Sequence, residues 1–112
     1  MRNVLFASVL YLLSACQSDN VVPEGILPDS TMKSVLVELS IVDAAYNVSM
    51  TNMNAPKFKS ELFYEQVMKQ HGTTRAQFIR SMDFYAQHTK RLQKIYEDAL
   101  VDLANRQAKA NQ

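Results

Sequence analysis

The sequence predicts an all-α chain, a small four-helix domain behind a short cleaved leader. Two observations predict it. From Met32 onward, apolar residues recur at steps of three and four in four separate stretches, the period of one helical face. Helix punctuators stand between the stretches, namely Pro28, Pro56, Gly72 and Thr89, and no strand-like alternation of useful length occurs.

The leader comes first. Arg2 gives a positive start, and Val4 to Leu13 is an apolar run broken only by Ser8. That run is too short for an ordinary membrane span. Ser14 and Ala15 then precede Cys16, the single cysteine of the chain. Leu13-Ser14-Ala15-Cys16 resembles the lipobox of a bacterial lipoprotein signal. The resemblance implies diacylglyceryl transfer to the Cys16 thiol and cleavage before Cys16. It also implies acylation of the new amino terminus with a fatty acid such as palmitate. Residues 1–15 therefore read as a signal peptide, and 16–27 as a lipidated N-terminus and tether. With its thiol spent, the folded part holds no disulfide, no cysteine-rich zinc site and no iron–sulfur cluster.

The helical domain is expected over 28–106. Ile26-Leu27 precedes Pro28 and is placed to fold back on the first helix as a hydrophobic staple. That helix starts at Asp29 or Ser30, both good N-cap residues, because Pro28 blocks backward extension. Its stripe is Met32, Val35, Leu36, Leu39, Val42 and Tyr46, with Lys33, Glu38 and Asp43 mostly off it. Asn47 to Lys57, rich in Asn and Thr, reads as a loop. The second helix spans about Lys59 to His71, with Leu62, Phe63, Tyr64, Val67 and Met68 facing in. Gly72 stops it as a C′ glycine. Thr74-Arg75-Ala76-Gln77 matches a capping box, which makes Thr74 the N-cap of the third helix. Its inward set is Phe78, Ile79, Met82 and Tyr85, and it ends near Gln87-His88. Thr89 is placed to cap a fourth helix, Lys90 to about Arg106, with Leu92, Ile95, Tyr96, Ala99, Leu100 and Leu103 as its stripe. The polar tail 107–112 is expected to fray.

Charge narrows the function classes. The chain has 12 basic and 11 acidic side chains, and loss of Arg2 with the leader leaves a neutral balance. That argues against a nucleic-acid binder, which needs a basic face to release counterions. It argues equally against electrostatic membrane binding. The lipid on Cys16 is expected to hold the protein at the membrane, at roughly 0.8 kcal/mol per buried methylene.

The chain from Pro23 to Leu103 resembles the small lipoproteins of the Bacteroidetes lineage known as domain of unknown function number four-two-nine-six. The resemblance rests on Ile26-Leu27-Pro28 ahead of Met32 and Leu36, the Ala44-Ala45 helix end, and Tyr64 with Val67. It rests further on His71-Gly72-Thr73-Thr74 with Phe78, Ser81 and Tyr85, on His88, and on Leu92 with Ile95-Tyr96. Thr89 departs from the pattern, where the family often has proline. The resemblance implies a helical envelope lipoprotein and carries over no catalytic residue.

Candidate chemistry is sparse. His71 and His88 are the two histidines, and their spacing fits no zinc pattern. His71 suits a helix C-terminus, where a cation complements the macrodipole. Ser81 and His88 share a helical face but stand about 10 Å apart along the axis, and no nucleophile elbow surrounds Ser81. Ser81 reads as a small residue permitting close helix contact. Glu61 and Glu65 read as a solvated face. Phe63, Tyr64, Phe78, Phe84, Tyr85 and Tyr96 read mainly as core. Phe84 lies off its helix's stripe, beside Tyr85, so it is expected near the surface as the candidate partner contact. No metal, no cofactor and no enzyme activity are expected.

The expectation is a membrane-anchored envelope lipoprotein that binds another envelope protein as an accessory or scaffold. The alternative is a carrier or chaperone for an apolar ligand held between the helices. A dry, filled core favours the first, and a lined cavity of a few hundred cubic ångströms favours the second. Gln17, rather than aspartate, follows Cys16, which points to the outer membrane. Gln17-Ser18-Asp19-Asn20 only partly resembles a surface-export tether, so the periplasmic face is favoured over the cell surface.

Overall fold

The computed structural model describes residues 21–54 and 59–112. The expected signal peptide, Cys16, the first part of the tether and the end of the expected loop lie outside the described residues. Among the described residues four helices form: α1 (Asp29–Thr51), α2 (Ser60–Gln70), α3 (Arg75–Ala86) and α4 (Thr89–Ala110). The all-α class is as the periodicity predicts.

Ahead of α1, Pro23 to Ile26 forms a turn closed by Ile26 N–H to the Pro23 carbonyl at 3.2 Å. Gly25 sits at φ 82°, a left-handed angle that glycine adopts without penalty. Pro28, in extended conformation, is the N-cap of α1, so the cap is neither Asp29 nor Ser30. Asp29 stands in the first turn, where its charge suits the helix dipole.

α1 runs past Ala44-Ala45, the helix end that the resemblance implies, and through Asn47 to Thr51, where the composition predicts a loop. Nothing in that stretch breaks a helix, and its hydroxyls turn back on the preceding turn. Ser49 Oγ donates to the Tyr46 carbonyl at 2.7 Å, and Thr51 Oγ1 to the Asn47 carbonyl at 3.0 Å. The polar residues are thus satisfied inside the helix rather than by leaving it.

α2 ends as Gly72 predicts. Gly72 has φ 66°. Its N–H bonds the Lys69 carbonyl at 3.1 Å, and Thr73 N–H bonds the Met68 carbonyl at 3.0 Å. These are the paired bonds of a Schellman motif. Thr74 caps α3, its Oγ1 accepting from Gln77 N–H at 3.2 Å. The return half of the capping box is diverted: Gln77 Oε1 accepts from Thr73 Oγ1 at 2.8 Å instead.

Thr89 is the first residue of α4, and His88 is its N-cap without a side-chain cap bond. His88 Nδ1 lies 2.8 Å from the Phe84 carbonyl, at the end of α3. α4 then continues past Arg106 to Ala110, so the tail expected to fray from Gln107 is helical over most of its length. Gln107-Ala108-Lys109-Ala110 are all good helix formers, and Lys109 in the last turn complements the dipole. Gln93–Glu97, Lys94–Asp98 and Asp102–Arg106 pairs support the helix upstream.

The off-stripe charges of α1 reveal the topology. Lys33 reaches Asp102 at 3.8 Å and Asp29 reaches Arg91 at 2.9 Å, so α1 and α4 run in the same direction. Glu38 meets His71 and Asp43 meets Tyr64, so α2 runs against α1. α3 also runs against α1, since Tyr85 meets Asp29 while Phe78 packs beside Val35. α2 and α3 are therefore one descending limb, bent at Gly72–Thr74, between two long ascending helices.

The core has two parts joined by Phe78. Leu27, Met32, Tyr85 and Ile95 form one, with Ile26, Leu36, Met82, Phe84 and Leu92 packed around it. Val35, Val67 and Met68 form the other, with Leu39 and Val42. The staple residue Leu27 is thus a full core member. Several expected core residues are exposed instead: Leu62, Phe63, Ile79, Tyr96 and Leu100. Each helix presents only a narrow face to its neighbours, α4 burying Ile95 and Ala99 alone, so residues one step off that face meet water. Val37, off the α1 stripe, is buried.

Candidate functional site

Two polar constellations stand out, both built around α3. The first is a clasp that holds the segment ahead of α1. Ser81 is fully buried. It donates to the Gln77 carbonyl at 2.8 Å and accepts from Leu27 N–H at 2.9 Å. The Tyr85 hydroxyl lies 2.7 Å from both the Leu27 carbonyl and Asp29 Oδ1. Arg91 Nε contacts both Asp29 oxygens, at 2.9 and 3.0 Å. Gln77 Nε2 donates to the Gly25 carbonyl at 3.4 Å. α3 and the start of α4 thereby fix the segment ahead of α1 by its backbone groups and by the Asp29 side chain at the head of α1.

The clasp shifts its own titration. Burial pushes the Tyr85 phenol far above its usual range, and the neighbouring Asp29 carboxylate adds to the rise. Burial works against ionisation of Asp29, but hydrogen bonds from Arg91 and Tyr85 outweigh it. Its carboxyl is held below the usual range. These groups are engaged with one another, and Ser81 has spent both its donor and an acceptor on the backbone.

The second constellation is a groove of about 740 Å³ where the bent α2–α3 limb meets α1. Its floor is apolar: Leu39 from α1, Met68 from α2, Phe78 and Ile79 from α3. Its rim is charged, with Asp43, Glu61 and Glu65 on one side of the count and Lys69 and Arg75 on the other. Tyr64 lines it too, and its hydroxyl donates to Asp43 Oδ1. That bond, with some burial, raises the Tyr64 phenol above its ordinary value. Ile79, expected in the core, is 52% exposed here and forms part of the wall.

The residues singled out in the sequence fall as follows. Phe84, the candidate partner contact, is half-buried rather than exposed. Its ring meets Tyr85 edge-on at 5.1 Å and stacks on His88 at 4.2 Å, at the margin of the first core cluster. A residue off the stripe is drawn in because α4 turns back directly after α3 and brings His88 over the ring. His71 is the C-cap of α2, as expected. Its Nε2 lies 3.1 Å from Glu38 Oε1, at ion-pair distance but out of line for a hydrogen bond. Glu61 and Glu65 are exposed, on the groove rim. Cys16 lies outside the described residues. Among the described residues, no group of three or more His, Cys, Asp or Glu side chains could hold a metal ion, and no helix is long and apolar enough to cross a membrane.

Sequence reasoning missed the clasp. Asp29 and Arg91 are 62 positions apart, and Leu27 and Ser81 are 54 apart. No local pattern connects them, and the Ser81 hydroxyl had no visible partner.

No curated protein and no solved structure matches the chain. A family model does, over residues 23–109, which begins at the turn ahead of the clasp and ends beside the last turn of α4. By that match the chain belongs to the family described as domain of unknown function DUF4296.

Proposed function

We propose that the chain is a membrane-anchored envelope lipoprotein, an accessory or scaffold that binds another envelope protein and performs no reaction of its own. The lipobox at Leu13 to Cys16 supports the anchor, with lipid on Cys16 and the periplasmic face of the outer membrane as its place. The observation that carries the binding reading is the open groove between α1, α2 and α3, with its apolar floor and charged rim. Apolar surface rimmed by charge is the usual composition of a protein contact. Phe84 is half-buried, so the groove replaces it as the focus of that contact.

Processing and contact are tested together. Cys16→Ser is expected to leave the membrane fraction and to lose the partner captured by crosslinking in intact envelope. Unmodified Cys16 on the mature protein, read by mass spectrometry, overturns the anchor. Protease shaving of whole cells distinguishes the two faces of the outer membrane.

A second reading, a carrier for an apolar ligand, is favoured by one observation. The groove volume of about 740 Å³ falls within the range of small-molecule sites. Native mass spectrometry of protein purified from envelope decides it: a stoichiometric apolar adduct supports the carrier.

A further inference from the structure

We propose that the groove receives one amphipathic α-helix of the partner, laid along α2 with its N-terminal end beside Glu61 and Glu65 and its C-terminal end beside Lys69 and Arg75. This deepens the partner-binding reading and rests on it.

The floor supplies the first argument. Leu39, Met68, Phe78 and Ile79 reach the trough from three different helices, giving an apolar channel rather than a flat patch. Such a channel accepts side chains at i, i+3, i+4 and i+7 of an entering helix. Ile79 is already half in water, and Met68, a core residue, underlies the trough.

Length and charge supply the second. Glu61 and Lys69 lie about 12 Å apart along the α2 axis at 1.5 Å per residue, and Arg75 stands beyond the turn. That is two turns or more of helix. Along it the rim runs acidic, acidic, basic, basic in the order Glu61, Glu65, Lys69, Arg75. A helix carries roughly half a positive charge at its N-terminus and half a negative charge at its C-terminus. The rim therefore complements one orientation of an entering helix and opposes the reverse. An acyl chain has no such polarity: its head would use the basic end, and its tail would lie against Glu61 and Glu65. The Asp43 carboxylate, held by Tyr64, adds to the acidic end.

The test uses the full-length lipidated protein in its own envelope. A benzophenone amino acid replaces Tyr64, Ile79 or, as a control outside the groove lining, the exposed Leu100 of α4. The expected result is that Tyr64 and Ile79 adducts map to one segment of one other protein. The Tyr64 adduct lies N-terminal to the Ile79 adduct, and both lie on one helical face. Ile79→Glu and Arg75→Glu are each expected to cut that adduct about tenfold or more, with the melting curve unmoved, and Arg75→Lys to keep it. Adducts on lipid, on a second copy of this chain, on unrelated segments or in reversed order overturn the proposal. If the groove probes give no protein adduct while Leu100 does, the helix proposal falls and partner binding survives. If none of the three does, both fall.

Discussion

The two halves of α3 use their polar groups in opposite ways. Around Ser81 and Tyr85, buried polar groups are matched: Leu27 N–H and its carbonyl and the Ser81 hydroxyl all have partners, and the half-exposed Asp29 carboxylate joins them. Around Arg75 and Ile79, charged groups stay at a rim and an apolar wall stays open to solvent. Burying an unmatched polar group costs about 1–3 kcal/mol, so the first half is committed to one arrangement. The second half has no such commitment and is free to meet something else. One helix thus divides into a part that holds the fold and a part available for contact.

Mutations along α3 and its neighbours test that division. The largest effect is expected at Tyr85→Ala, about 3–5 kcal/mol, because a fully buried ring and the partner of Leu27 and Asp29 are lost together. Thermal melts of the Cys16→Ser protein measure it; a loss under 1 kcal/mol would mean the clasp contributes little. Phe84→Ala is expected at about 2 kcal/mol, between a surface and a core position, since the ring is half-buried against Tyr85 and His88. Gly72→Val is expected to cost about 1–2 kcal/mol. That cost is assigned to backbone strain at φ 66°, since a Cβ there meets nothing within 4 Å. If that variant melts like the parent, the bend between α2 and α3 is not set by this residue.

Asp29→Asn is expected to cost no more than about 1 kcal/mol, because the carboxylate side chain is 44% exposed and water screens it. Its pH dependence has a definite sign. The folded carboxyl is held below its ordinary value of 3.8, so its contribution is present above that value and lost as pH falls through the folded one. Tyr85 acts at the other limit. Its raised phenol contributes fully below the ordinary value of 10.0, and that contribution is lost as pH rises through the folded one. A stability profile that ignores Asp29→Asn in acid and Tyr85→Phe in alkali would remove both groups from the clasp. Smallest of all, Ile79→Ala on the groove wall is expected to change stability by about 0.5 kcal/mol or less, as a surface position does.

Local signals in the sequence were reliable where the physics is local. Gly72 ends α2, Thr74 caps α3, and Leu27 folds back into the core, each for a reason contained within a few residues. Signals failed where a neighbour decides. Leu62, Ile79 and Leu100 have helical spacing, but among the described residues no helix covers them. Asn47 to Thr51 looked like a loop by composition, yet its hydroxyls satisfy themselves within the helix. The groove was least legible of all, because it depends on the bend at Gly72 to Thr74, on Leu39 and Asp43 opposite, and on side chains left uncovered.

The clasp also decides how mechanical load enters the domain. A pull on the chain ahead of Pro23 does not reach the first turn of α1 directly. It meets Leu27, held on its N–H by Ser81 and on its carbonyl by Tyr85, with its side chain sunk in the core. Two hydrogen bonds and a buried side chain thus take up the load before the first turn of α1 does. Under the proposed anchor at Cys16, the domain would be braced at the point where the leash joins it.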